Sequence, residues 1–168
     1  MGLVISDAST LIHLVNIGRL GLLRNFFGQV VVPSAVWKEV VDLGEGRLGA
    51  EEVRQAENSG WMTIEAPSDN AFVRALSRDL DDGEAEVIAL AVERKAGLIL
   101  VDETEARRVA DLYGIPRTGT IGLLLRAKRE KIIELLKPEL DRLVYQRGFW
   151  ISQSFYQQAL EAAGERSE

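Results

Sequence analysis

The chain has 168 residues, 46% of them apolar, with 26 acidic against 20 basic residues for a net charge of −6; that length and composition suit one globular domain with a sizeable core. It has no cysteine and one histidine, which excludes disulfides, thiolate metal sites and a Cys nucleophile and leaves a His/Cys zinc centre without ligands. The acid excess argues against passive, charge-driven nucleic-acid binding, and neither a run of roughly 18 apolar residues nor a signal-peptide pattern occurs, so a cytoplasmic protein is expected.

Val4-Ile5-Ser6 reads as a short buried strand with Asp7 directly after it, followed by a helix over Ser9 to Val15 that Gly18 ends. A short helix around Leu20 to Phe26 leads through Gly28 to the β-branched strand Val30-Val31-Val32. Pro33 suits the first position of the next helix, Ser34 to Val41, where Glu39 flanks the apolar face made by Val36 and Val40. Three glycines in Leu43 to Gly49 predict a mobile loop, then a helix from about Ala50 to Asn58 and an edge strand at Trp61 to Ile64.

Asp69 or Asn70 caps a helix running to about Arg78, and Asp82 is a natural cap for the periodic helix Glu84 to Lys95, which Gly97 stops. Leu98-Ile99-Leu100-Val101 is the clearest buried strand, and Asp102 follows it as Asp7 follows the first. A helix over Glu103 to Tyr113, an extended segment Ile115 to Thr118, and helices over Leu123 to Arg129, Pro138 to Tyr145 and Ser152 to Ala163 precede a polar tail. Strands alternating with helices predict a three-layer α/β/α fold with a mainly parallel central sheet. The expected organisation is a single domain over residues 1–168, its helices from about residue 132 packing as an extension.

Each notable acid has an ordinary explanation. Asp7 can be a helix N-cap, Asp102 with Glu105 matches a capping box, and Glu84 occupies a first helical turn where acids are favoured. Their joint placement says more. Asp7 and Asp102 both end buried strands, and in a parallel sheet that edge is where ligands bind. Glu39 and the Glu84/Glu86 pair lie on helices leaving the same edge. Such acids repel one another unless protonated or neutralised by cations, and oxygen ligands without His or Cys suit Mg²⁺ or Mn²⁺, ions that work on phosphodiesters.

Five segments in order carry a family resemblance. They are Ile5-Ser6-Asp7-Ala8-Ser9, Val32 to Glu39, Asp81 to Ala91 with its Gly-Glu-Ala start, Leu100 to Glu103 with Ala106-Arg107, and Gly119-Thr120-Ile121-Gly122. Together they resemble the PIN domain, the nuclease-like fold of toxin ribonucleases and related RNA-processing enzymes, and more narrowly an uncharacterised prokaryotic subgroup. The resemblance implies an Mg²⁺- or Mn²⁺-dependent endoribonuclease, with Asp7, Glu39, Glu84 or Glu86, and Asp102 as its acids. Ser9 would support Asp7 and Arg107 would contact substrate, while Thr120, at a helix start, reads as a plain N-cap or as a phosphate contact. Spacing to Gly97 favours Glu86 as the third metal ligand, whereas Glu84 heads the motif; about 200° separates them on a helix. Many members carry Thr-x-Asp where this chain has Asp102-Glu103-Thr104, which leaves Asp102, Glu103 or Glu105 as the fourth acid.

The same resemblance implies an RNA substrate, a small antitoxin that blocks the site, and a homodimer, with Phe149-Trp150-Ile151 and Phe155-Tyr156 as interface candidates. Arg108, Arg117, Arg126, Lys128, Arg129 and Lys131 read either as a solvated helix face or as an RNA-backbone track. His13, between apolar neighbours, reads as structural, and Trp37, Trp61 and Trp150 as core or interface residues. The rival is a PIN-fold interaction module without productive chemistry. A receiver-like phosphoacceptor domain would need an acceptor Asp after the central strand and a late Lys after a strand, and neither stands in the expected place.

Overall fold

The computed structural model describes residues 2–44 and 46–165. Glu45 of the expected glycine loop and residues 166–168 of the expected polar tail lie outside the described residues. Five parallel strands form one sheet: β1 (Val4–Ser6), β2 (Val30–Pro33), β3 (Met62–Glu65), β4 (Leu98–Leu100) and β5 (Arg117–Thr118), in the order β3-β2-β1-β4-β5. Every residue of β1 and β2 is buried. Strands covered by helices on both faces have no solvent side to alternate towards, which is why they read as continuous apolar runs.

The helices are α1 (Ala8–Asn16), α2 (Gly21–Phe27), α3 (Ser34–Trp37), α4 (Leu48–Asn58), α5 (Asn70–Leu76) and α6 (Asp82–Arg94) in the first two thirds. They continue with α7 (Thr104–Leu112), α8 (Thr120–Arg129), α9 (Leu136–Asp141) and α10 (Gln153–Ala162). Wider turns extend α3 through Lys38–Asp42 and α9 through Arg142–Gln146. With the central sheet they make the expected α/β/α layers. One continuous apolar core runs from Val4 to Leu160, so Leu136, Leu140, Leu143 and Tyr156 pack into the same interior as the strands.

Strand order reverses between β1 and β4. Their register pairs Ile5 with Ile99 and Ser6 with Leu100, so Asp7, directly after its strand, and Asp102, two residues past Leu100, lie close together at the reversal point, the Asp102 N–H 3.4 Å from Asp7 Oδ2. Open parallel sheets form their binding crevice at such a point. The chains enter this pair equally close: a Cβ on Gly97 would meet the Gly2 Cα at 3.0 Å, a gap only glycine leaves open.

Several boundaries differ from the sequence expectation. Asp81, not Asp82, caps α6, through a reciprocal capping box with Glu84. That helix ends at Arg94 with Lys95 left-handed, before Gly97 is reached. Helix α8 begins at Thr120 instead of Leu123, and α7 is capped by the Glu103 backbone with no side-chain bond. The capping box drawn from Asp102 and Glu105 therefore does not form. The Asp102 carboxylate is turned elsewhere.

Candidate active site

Asp7 ends β1 in an extended conformation and caps α1, its Oδ1 accepting the Thr10 N–H at 2.9 Å. Its Oδ2 faces the Asp102 N–H at 3.4 Å. The residue is 2% exposed. Burial, reinforced by the charge of Asp102, pushes its carboxyl up to about 8 despite the bonds it accepts.

Asp102 is held from several directions. Its Oδ1 accepts the Thr120 N–H at 2.7 Å, and its Oδ2 accepts the Thr120 hydroxyl at 2.6 Å and the Thr10 hydroxyl at 3.4 Å. His13 Nδ1 lies 2.8 Å from the same Oδ2. The Arg107 guanidinium stands 3.6 Å from Oδ1 while its Nε donates to the Val101 carbonyl at 3.2 Å. Burial works to raise this carboxyl, but the His13 and Thr120 bonds outweigh it and hold it below the usual range. Near neutral pH, with only protein groups present, the pair carries one proton, on Asp7. Burial raises both acids, and the donors set them apart: Thr120, Thr10, His13 and Arg107 side chains and the Thr120 amide are turned to Asp102, whereas Asp7 has Thr10 and the Asp102 amide.

Gly119 makes that arrangement possible. A Cβ there would lie 2.4 Å from Asp102 Oδ1, 2.6 Å from the Arg107 guanidinium and 3.0 Å from the Val101 carbonyl. The missing side chain lets the first turn of α8 close over the carboxylate.

A second acidic group adjoins the pair. Glu84 is buried, and its carboxylate accepts the Asp81 N–H at 3.1 Å. Burial raises its carboxyl, with the charges of Asp81, Glu103 and Glu39 adding to the effect against the lowering bond from Asp81. Burial and then Asp81 raise Glu39 as well. The Glu39 carboxylate lies over Gly83, 3.5 Å from where a Cβ would stand. Glu103, the residue after Asp102, joins the two groups because its charge reaches Glu84.

Glu86, which spacing favoured as the third ligand, is engaged elsewhere. One of its oxygens accepts both the Ser34 hydroxyl and the Ala35 N–H, each at 2.9 Å. It caps the start of α3 and fixes that helix to α6. Glu105 is exposed and pairs with Arg108. Ser9 is half-buried in the first turn of α1. Of the basic residues expected along an RNA track, Arg117 pairs with Asp111 and Lys128 with Glu165. Arg126 pairs with Glu130 and lies over the Phe26 ring at 4.3 Å.

The sequence reading placed His13 in a structural role and did not connect it with Asp102. Its ring packs edge-on against Phe149, with centroids 4.6 Å apart. Nothing in its own neighbourhood signals this, because its partners lie 89 and 136 residues away along the chain.

The donor chemistry fits a hard divalent cation. Mg²⁺ is commonly held by one or two carboxylates, completing its shell with water and phosphate oxygens, and Asp7 and Asp102 offer two. The proton forced onto Asp7 marks where cationic charge is favoured. Among the described residues, no three His, Asp or Glu side chains converge as a metal cage. A cation here would therefore draw the rest of its coordination from water and substrate.

A family model described as a PIN domain matches residues 3–165. Comparison with curated proteins gives no match.

Proposed function

The chain belongs to the PIN-domain family, and from that premise we propose that it is an Mg²⁺- or Mn²⁺-dependent endoribonuclease. The observation that carries the reading is the buried Asp7–Asp102 pair at the strand reversal, one acid protonated and the other held ionised. A divalent ion bound there supplies a water of lowered pKa and a positive charge for the scissile phosphate.

The chain's own residues do the rest. Asp7 and Asp102 hold the charge at the sheet edge. Thr120, Thr10 and His13 fix the Asp102 carboxylate in one orientation, so that it cannot swing away when substrate arrives. Arg107, anchored on the Val101 carbonyl, stands where a phosphate beside Asp102 meets a cation. Glu39 and Glu84 supply further negative charge, which favours metal and restrains the approach of RNA in its absence.

The test is RNA cleavage with Mn²⁺, with EDTA, and with Asp7→Asn. Cleavage that survives both chelation and the mutation refutes the mechanism.

The finer reading is a cytoplasmic, homodimeric toxin restrained by a small antitoxin, and it rests on the family resemblance. Growth arrest on expression, relieved by Asp7→Asn, is its expected signature. Among the described residues no helix is long and apolar enough to cross a membrane. One observation favours a second reading, a PIN-fold interaction module of weak or absent activity: both Asp102 oxygens already accept protein hydrogen bonds. Titration with Mn²⁺ separates the two, because the enzyme binds the ion and the module does not.

A further inference from the structure

Beside Asp102 the surface opens into a cleft of about 550 Å³ whose two walls differ in chemistry. One wall is polar and carries Asp102, Arg107 and His13. The other is the segment leading into α10, with Phe149 and Trp150, and the first turn of α10 itself, with Phe155. Trp150 is 83% exposed and Phe155 is 42% exposed, so neither is a core residue. Trp61, by contrast, is buried. Phe149 fixes this segment to the site, since its ring is the one packed against His13.

Resting on the ribonuclease reading above, we propose that this cleft takes the unpaired base of the nucleotide beside the bond that is cut, stacked on Trp150. A nucleotide is the ligand whose two halves match the two walls. Its phosphate belongs with Arg107 and the Asp7–Asp102 pair, and its flat apolar base belongs on an exposed indole. Twelve residues line the cleft, about half of one side of a stable protein interface, so a second copy of the chain seated here would have to bury surface well beyond it, whereas a single nucleotide would not. A base held in a helix keeps its faces covered by its stacked neighbours, so duplex RNA cannot offer one to Trp150. Stacking on an aromatic ring also accepts any base, which makes the cleft a selector for strandedness more than for sequence.

The experiment compares Trp150→Ala and Trp150→Phe with the parent protein, using a short oligouridylate, its duplex with oligoadenylate, and an abasic ribose-phosphate oligomer of the same length. Binding is read in an Asp7→Asn background with Mn²⁺ from the fluorescence anisotropy of a labelled oligomer, and stacking in the protein that keeps Trp150 from quenching of the indole fluorescence that Trp150→Phe removes. Cleavage is read as kcat/KM in the otherwise unaltered chain. The single strand quenches Trp150 and binds about 5- to 140-fold more weakly to Trp150→Ala, the usual range for losing one base–aromatic stack. Trp150→Phe recovers most of that loss, and neither the duplex nor the abasic oligomer quenches. Equal binding and equal kcat/KM for Trp150→Ala on an actively cleaved single strand overturns the inference and leaves the nuclease standing. A dimer that Trp150→Ala converts to monomer, with no quenching, also overturns it by making this face a protein interface. Quenching by the single strand in a protein that never cleaves RNA sustains the cleft as a nucleotide site and removes the catalytic reading instead.

Discussion

Replacing Asp7 with Asn should stabilise the metal-free protein while abolishing its chemistry, and the gain should depend on pH in a defined direction. The Asp7 carboxyl titrates near 8 in the fold against 3.8 for the free side chain. An acid raised in this way takes up a proton on folding throughout the intervening range, so stability falls as pH rises from about 4 to about 8. At about 1.4 kcal/mol per pH unit, the ceiling at pH 7 is roughly 4 kcal/mol. Asn keeps the oxygen that accepts the Thr10 N–H and has no proton to acquire. For a chain of this size each kcal/mol moves Tm by roughly 2–4 °C, so the ceiling corresponds to roughly 8–16 °C. Thermal unfolding in EDTA, followed by circular dichroism, measures both proteins near pH 4 and near pH 8. The expected result is near-equal Tm values at the acid end and a higher Tm for Asp7→Asn at the alkaline end. A gap of the same size at both ends, or a less stable mutant at pH 8, refutes the buried-charge account.

Three further outcomes are expected. Mn²⁺ binding near pH 7 should release close to one proton per ion, because the cation takes the place of the proton that Asp7 holds up to about 8; calorimetry in buffers of different ionisation enthalpy counts it. Thr120→Val removes the hydroxyl bonded to the ionised Asp102 at 2.6 Å and should cost roughly 1.5–3 kcal/mol in denaturant unfolding and depress cleavage, whereas Thr120→Ser should restore both. Glu86→Ala should lose the cap on α3, about 1–2 kcal/mol of stability, yet keep its activity per folded molecule, while Glu84→Gln should lower cleavage at nearly unchanged stability.

The sheet and the shared edge of Asp7 and Asp102 were legible because both follow from local rules; that β1 and β4 are neighbours is set by the strand order. A parallel strand buried on both faces is an apolar run, and each of these runs ends in an acid. Two such acids on neighbouring strands must meet at the sheet's carboxyl edge. What sequence spacing left open was orientation. Glu84 and Glu86 both sit near the start of α6, and only the position of α3 decides between them. Once the Ser34 hydroxyl and the Ala35 N–H are brought against Glu86, that side chain is committed, and Glu84 is the one left facing Glu39 and Glu103.

Asp102 shows why capping patterns mislead where two helices start close together. An acid followed three residues later by Glu105 satisfies the local rule for capping α7, and nothing within those residues argues otherwise. The competing partner is the N-terminus of α8, which offers an amide and the Thr120 hydroxyl together at 2.7 and 2.6 Å. That geometry outbids a single cap bond only because position 119 carries no side chain. Gly119→Ala is therefore a direct test. Its φ of −133° suits any residue, so the effect is purely steric, from a methyl group 2.4 Å from Asp102 Oδ1. The expected cost is about 1–3 kcal/mol of stability, as for overpacking a filled site, with a loss of cleavage larger than that destabilisation explains. Unchanged activity in a Gly119→Ala protein of reduced stability would show that the contacts around Asp102 position nothing that catalysis needs.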